Sequence, residues 1–419
     1  PFKLNASSSV WTDHQFARLQ QPPERTQGGE GETIDIHLED DLIQEFDAGD
    51  RITLTGVLDI EEAGKDQGRD FDTSMDASAV VREESDYEDI DVEEHREEIE
   101  DIAAGNRGDP YELLIQSINP RHHGDEDVKL AIALQMFGGW SRGGQMRGDS
   151  HILLMGDPGC GKSTFLQAVD ELAPRSTYAS GKGATASGLT AAAVADDFGD
   201  TEWGLEAGAL VLADGGVACI DEIDKVNGEA VSSLHDALES QKVRVNKAGI
   251  NATLNARTSL LGAGNPDGGR FESYQPRAQQ IDLSPTLMSR FDLMFMVSDS
   301  PEVGVDRDVI DHMMTARRAA AKAALGEELT EEEQKSIEPE IDEEVLRAYI
   351  AYAKEEVTPY IREDNTEARE FLREEFLKIR LANSEEEDHP VPVTYRQEQA
   401  IERLAEASAR VRLSNEVTK

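Results

Sequence analysis

The strongest constraint in this chain is the run Gly156-Asp157-Pro158-Gly159-Cys160-Gly161-Lys162-Ser163, which fits GxxxxGK[ST] at every fixed position. An apolar stretch, His151–Met155, precedes it and a helical pattern follows. That strand–loop–helix context is the one in which such a loop wraps phosphate. Its glycines let successive backbone N–H groups turn toward one anion, and the next helix adds the positive end of its dipole. Lys162 is expected to neutralise the β/γ-phosphates and Ser163 to hold Mg2+, with Thr164 completing the nucleotide-contacting set.

The rest of this region fits the fold such a loop demands. Val217–Ile220, Thr258–Ala263 and Phe291–Val297 are further short apolar runs separated by helical patterns. Alternation of this kind implies a mainly parallel sheet with its ligand at the carboxyl edge. After Pro301 the chain reads helical to the end, its last helix carrying Ile401, Leu404, Ser408 and Val411 on one face. Glu327–Glu344 and Asn383–Asp388 read as acidic surface loops. Pro110 to Gly138 also reads helical, whereas the Asp/Glu-rich Arg82–Asp101 reads as a solvated helix or linker.

Three sites complete a nucleotide-hydrolysing constellation. Val217-Ala218-Cys219-Ile220-Asp221-Glu222 is an apolar strand ending in two carboxylates. Asp221 suits the Mg2+ side and Glu222 the polarisation of an attacking water. Asn265, after the strand Leu261-Gly262-Ala263-Gly264, is placed to orient that water. Alone, Arg290 in Met288-Ser289-Arg290-Phe291-Asp292 would read as a surface ion-pair partner. Its position after the phosphate loop, the carboxylate pair and the asparagine reverses that reading. Asn246-Lys247-Ala248-Gly249 lacks the terminal Asp of a guanine-reading motif, so ATP is expected and not GTP.

The amino-terminal segment differs. Thr33–Leu38 and Arg51–Leu58 alternate polar and apolar residues, with a turn signal at Asp47-Ala48-Gly49-Asp50 and a Gly-containing turn, Glu61–Phe71, carrying Lys65 and Arg69. Short strands with Gly turns suit a small OB-type barrel, and a sandwich gives the same pattern. The chain opens Pro-Phe-Lys without an initiator Met or a secretory signal, and no apolar run approaches the ~18 residues of a membrane span. We therefore expect a cytoplasmic, nucleoid-associated protein, a fragment of a longer one, with no membrane partner. Two cysteines, Cys160 and Cys219, exclude a disulfide framework and a Cys-based zinc cluster.

Charge pulls the other way. Lys+Arg number 41 against 86 Asp+Glu, a net charge of −45, where a nucleic-acid binder normally shows a basic footprint. Two readings compete: an acidic protein that avoids nucleic acid, or an acidic shell suited to molar salt. At ~1 M salt the Debye length is only about 3 Å, so distant carboxylates scarcely repel DNA while local basic loops still reach it. An extreme halophile is the expected source. Lys242, Arg244, Lys247 and Arg257 form the densest basic cluster, with Val243 and Val245 alternating as in a strand. Phosphate contact is independent of sequence, which suits a moving motor.

Longer runs give the chain a specific resemblance. Gly181-Lys182-Gly183 through Gly188-Leu189-Thr190, Glu206–Gly216, Lys247-Ala248-Gly249-Ile250, Leu254-Asn255-Ala256-Arg257 and Leu287–Asp292 resemble minichromosome-maintenance (MCM) helicases. Trp11–Leu58 resembles the family's OB region and Asn119–Gly139 its connecting segment. The resemblance implies an α/β AAA+ P-loop ATPase core with a helical lid, preceded by a small all-β OB-type domain. It makes Asn265 sensor 1, Arg290 the arginine finger and Arg396 the sensor 2 arginine, the two arginines serving a neighbouring subunit's nucleotide. It also implies a homo-oligomeric ring, a hexamer, acting on single- and double-stranded DNA with replication-fork proteins. Lys242–Leu254 would be a pore hairpin with Lys247 at its tip, Lys182 would face the channel, and Lys65 and Arg69 would sit in a DNA-contacting turn. The family's zinc ribbon, opening helical subdomain and winged helix have no counterpart here, and Cys160-Gly161 replaces its usual Thr-Ala.

The expected division is residues 1–82 as OB collar, 83–109 as acidic linker, 110–300 as ATPase core and 301–419 as helical lid. The rival is an AAA+ protein remodeller or metal-insertion motor of related architecture.

Overall fold

The structure, a computed structural model, describes residues 12–21, 33–43, 45–46, 50–62, 71–82, 90–141, 147–195, 203–247, 250–272, 275–298, 303–385 and 393–419. Lys65 and Arg69 lie outside the described residues, as do residues 248–249.

Among the described residues, β1 (His14–Gln20), β2 (Thr33–Glu39), β3 (Ile52–Glu62) and β4 (Phe71–Arg82) come first, then α1 (Val92–Ala103), α2 (Pro110–Ser117) and α3 (Glu126–Phe137). The α/β stretch begins with β5 (Ile152–Gly156), α4 (Lys162–Leu172), β6 (Ser176–Ser180), α5 (Ala186–Leu189), β7 (Ala191–Ala195) and β8 (Trp203–Ala207). It continues through α6 (Ala209–Leu212), β9 (Val217–Asp221), α7 (Gly228–Ser240), β10 (Lys242–Lys247) and β11 (Ile250–Asn255). β12 (Ser259–Gly264), α8 (Pro285–Met288) and β13 (Leu293–Val297) complete it. The closing helices are α9 (Val303–Leu325), α10 (Glu331–Lys335), α11 (Glu343–Glu356), α12 (Thr366–Glu385) and α13 (Tyr395–Val411).

The chain divides into two units. The first comprises Pro1–Asp86 with Ala191–Ala207 and Arg244–Leu254. Its main sheet has the order β1-β2-β4-β3, antiparallel except for the parallel pair β2–β4. A register shift between Thr55 and Gly56 bends β3 there, and a Cβ at Gly56 would lie 2.4 Å from the Asp76 carbonyl oxygen. Only glycine lets the strands approach that closely. β7–β8 and β10–β11 are separate two-stranded ribbons.

The second unit is built on a five-stranded parallel sheet of order β13-β5-β12-β9-β6. β5 and β12 are buried at every position, as strands covered on both faces must be. β6 closes one edge, and its sequence Ser-Thr-Tyr-Ala-Ser carries no apolar run. Helices α1, α3, α4 and α11 share the core with this sheet, Phe137 and Tyr349 meeting edge to face at 4.9 Å.

Three expectations need correcting. The acidic stretch before Asp101 is not wholly solvated. Ile99 and Ile102 of α1 are fully buried at helical spacing among exposed carboxylates, and they join the core cluster of the second unit. Glu327–Glu344 is not simply a surface loop, because α10 buries Glu333 between Arg318 and Lys322 and Ile341 is buried too. The deepest face of α13 is Ala400, Arg403, Ala407, Arg410 and Val411, and Ile401, Leu404 and Ser408 are only half-buried. Arginines there satisfy buried acceptors, which hydrophobic periodicity cannot reveal.

Candidate nucleotide site and its arginine partners

β5 lies between β12 and β13, and β9 flanks β12, so the residues after β5, β9 and β12 emerge together at the carboxyl edge of the sheet. This is the crevice in which open α/β sheets hold ligands.

Glycines shape the phosphate loop. A Cβ at Gly156 would lie 2.2 Å from the Val297 carbonyl oxygen, and Gly159 and Gly161 have φ of 91° and 77°. The Asp157 carboxylate accepts from the Phe271 N–H at 2.8 Å, pinning the loop sideways. Lys162, the first residue of α4, is buried and donates to the carbonyls of Gly156 (2.8 Å) and Asp157 (2.7 Å). Burial lowers its pKa, opposed by Cys160 and by the carboxylates of Asp157, Asp221 and Asp224. Ser163 and Thr164 are exposed in the first turn, Thr164 also accepting from the Asn119 side chain at 3.1 Å.

Asp221 ends β9 beside this loop. One carboxylate oxygen accepts from the Tyr178 hydroxyl at 2.9 Å and the other from the Glu222 N–H at 2.8 Å. Burial, followed by that bond, raises the Tyr178 pKa and keeps its proton available to donate. Glu222 itself adopts φ 51°, a left-handed conformation that costs a non-glycine residue roughly 1–2 kcal/mol. Strain of this sort collects at functional sites.

Two residues here escaped the sequence reading. Asp224, whose side chain is 4% exposed, accepts from the Asn265 N–H at 3.1 Å and pairs with Lys225 at 2.8 Å. It thereby ties the turn after β9 to Asn265 after β12. The signal was present as Asp-Glu-Ile-Asp-Lys, but that run reads equally as solvated charge. The other is His235 on α7, whose Nε2 accepts from Arg290 Nε at 3.1 Å and Nη2 at 2.9 Å.

Arg290 also meets Glu239 of α7, and Arg396 reaches the same carboxylate at 3.8 Å. The structure thus brings the two arginines together on α7. Burial, then the neighbouring Arg396, lowers the Arg290 pKa.

The basic residues are more dispersed. Lys182 is exposed in the turn after β6, next to Gly181, where a Cβ would lie 2.4 Å from the Glu222 carbonyl oxygen; it is not part of β7–β8. On β10, Lys242 and Arg244 are exposed and Val243 and Val245 buried, and Lys247 is its last residue. Arg257 departs from the basic cluster, since its backbone N–H and guanidinium both bind Asp214.

A glycine-built phosphate loop, a strand-end carboxylate pair, an asparagine on the adjacent strand and a helical lid define an AAA+ P-loop protein. Comparison with known proteins narrows this. The family model for the MCM P-loop domain matches residues 95–317, that for the MCM AAA-lid domain 344–419, and that for the MCM OB domain 1–62. The chain belongs to the MCM family. It is 39% identical over 428 residues to the minichromosome maintenance protein MCM of Saccharolobus solfataricus, covering 100% of this chain and 59% of that one. Against DNA replication licensing factor MCM5 of Arabidopsis thaliana it is 35% identical over 436 residues, covering 100% and 58%. Against licensing factor mcm4 of Schizosaccharomyces pombe the figures are 34% over 452 residues, 99% and 48%. The chain therefore spans about half to three-fifths of these relatives' length. No helix among the described residues is long and apolar enough to cross a membrane.

Proposed function

We propose that this chain is the ATP-hydrolysing motor of a replicative DNA helicase that assembles as a homo-hexameric ring and translocates on single-stranded DNA. The observation that carries the proposal is the gathering of Lys162, Asp221, Glu222 and Asn265 at one sheet edge while Arg290 and Arg396 share Glu239 on α7.

The donor set suits nucleotide and Mg2+. A hydroxyl in the first turn of α4 and a strand-end carboxylate are hard oxygen ligands, and Gly159 adds no side chain to the exposed crest of the loop. Ser163 and Asp221 would hold Mg2+, which when bound offsets negative charge on the phosphate oxygens. Lys162 exchanges its two loop carbonyls for phosphate, with backbone N–H groups of residues 156–164 around it. Glu222 orients the attacking water with Asn265. Arg290 and Arg396 of one subunit serve the nucleotide of its neighbour, and an arginine supplied in trans contributes roughly 10³–10⁵ in rate where it has been measured. The MCM OB match at 1–62 favours DNA over a protein substrate, against a remodelling or metal-insertion motor.

Lys247, at the end of β10, grips DNA phosphate, assisted by Lys182 and by Lys65 and Arg69. Single- and double-stranded DNA and replication-fork proteins are its partners, in the cytoplasm on the nucleoid. Lys247→Ala is expected to lose strand separation on a forked duplex far more than it loses ATP turnover without DNA. Parallel loss of both would remove the hairpin from the mechanism.

A further inference from the structure

α13 carries three arginines seven residues apart, Arg396, Arg403 and Arg410. A heptad repeat drifts only ~20° around a helix, so they form one stripe. Each stands on a different part of the second unit. Arg396 reaches Glu239 on α7 and Arg403 Nη2 binds Asp292 at 2.6 Å. Arg410 donates to the carbonyls of Phe137, Gly138 and Gly139 at the end of α3.

The middle rung has no part in the nucleotide site, yet both of its side chains are buried. Arg403 and Asp292 side chains are 8% and 5% exposed. Asp292 follows Arg290 by two residues, and its carboxylate also receives the His151 N–H at 2.9 Å and one arm of Arg147, whose Nη2 reaches its two oxygens at 3.2 and 3.1 Å. A closed circuit results. Arg290 leads through the backbone to Asp292, Asp292 to Arg403, Arg403 along the helix to Arg396, and Arg396 through Glu239 back to Arg290.

The links in this circuit differ in strength. The Arg396–Glu239 contact is long, at 3.8 Å, and roughly half exposed on both sides. Exposed pairs are weak and salt-screened, so this contact cannot set a geometry. The buried rung can, since neither partner has solvent to turn to.

We propose that the Arg403–Asp292 ion pair is the positioning device that fixes Arg290 and Arg396 relative to each other, so that they reach a neighbour's nucleotide as one body. Arg403 acts through the two arginines and touches no substrate. The inference rests on the trans role of Arg290 and Arg396 proposed above.

The test uses the full chain and three variants. Arg403→Met removes the charge but keeps the length, leaving Asp292 paired with Arg147. ATP affinity is expected to stay within about 2-fold while turnover falls on the order of 100-fold, the scale of an ångström-level misplacement. Arg403→Lys, which can still supply the one N–H the pair uses, is expected to recover most of that loss. Mixing decides the role: Lys162→Ala chains keep their arginines but not their phosphate loop, and Arg403→Met chains the reverse. The mixture is expected to turn over ATP well above the sum of its parts, as is Lys162→Ala mixed with Arg290→Ala. Recovery with Arg290→Ala but not with Arg403→Met overturns the positioning role and leaves the trans arginines standing. Failure of the Arg290→Ala mixture overturns the trans reading and this inference with it. Wild-type turnover by Arg403→Met alone also overturns it. If Arg403→Met does not fold, Asp292→Asn, which keeps an acceptor for His151, carries the same mixing test.

Discussion

Replacing Asp224 with alanine should uncouple ATP binding from ATP hydrolysis. Its carboxylate accepts the Asn265 N–H at 3.1 Å from a nearly closed position, and Gly264 before it leaves only 3.0 Å between an added Cβ and the same oxygen. The asparagine loop therefore leans on this one acceptor. A hydrogen bond to a charged group contributes about 1.5–3 kcal/mol, which at 1.4 kcal/mol per tenfold frees the loop roughly 10- to 100-fold more often. Turnover should fall by about that factor in Asp224→Ala. ATP affinity should barely change, because Lys162 and the loop glycines are held by other contacts. Asp224→Asn keeps the acceptor and gives up only the pair with half-exposed Lys225, worth about 0–1 kcal/mol, so its turnover should stay within a few-fold of wild type. Steady-state ATPase with a separate binding titration reads both numbers. Equal damage from Asn and Ala would show that charge matters and the acceptor does not, and refute the reasoning.

Other consequences concern the lid and the surface. Glu333 is held well below the ordinary 4.5, at about 2, by Lys322 first, then the Thr330 N–H and Arg318. A lowered carboxyl stabilises the fold above its unfolded value and stops doing so as pH falls through the folded one. Glu333→Gln should therefore flatten the stability loss between about pH 4.5 and 2, which acid titration by circular dichroism would show. Arg410→Met strands the carbonyls of Phe137, Gly138, Gly139 and Val357 and should lower unfolding free energy by roughly 2–5 kcal/mol in denaturant titration; a loss below about 1 kcal/mol would contradict the importance of these bonds. With a net charge of −45, melting temperature should climb steadily from about 0.1 M to multimolar KCl. A flat profile would remove the halophilic reading.

What the sequence disclosed follows from the range of each signal. Phosphate loop, β9 and β12 were legible because their chemistry and burial lie within a few consecutive residues. β6 was missed because an edge strand of Ser, Thr and Tyr has no apolar run, and the buried face of α1 was masked by six carboxylates in twelve residues. The Arg403–Asp292 pair joins positions 111 residues apart, beyond any local pattern. Arg257 misled in the opposite direction, since a basic residue near other basic residues gives no hint that Asp214, 43 positions earlier, already holds it.

The most direct test of the motor is ATP hydrolysis by this chain in high-salt buffer, with and without single-stranded DNA, beside Glu222→Gln. The account predicts turnover that rises with DNA and disappears in Glu222→Gln. Turnover indifferent to DNA, or surviving in that variant, would contradict it.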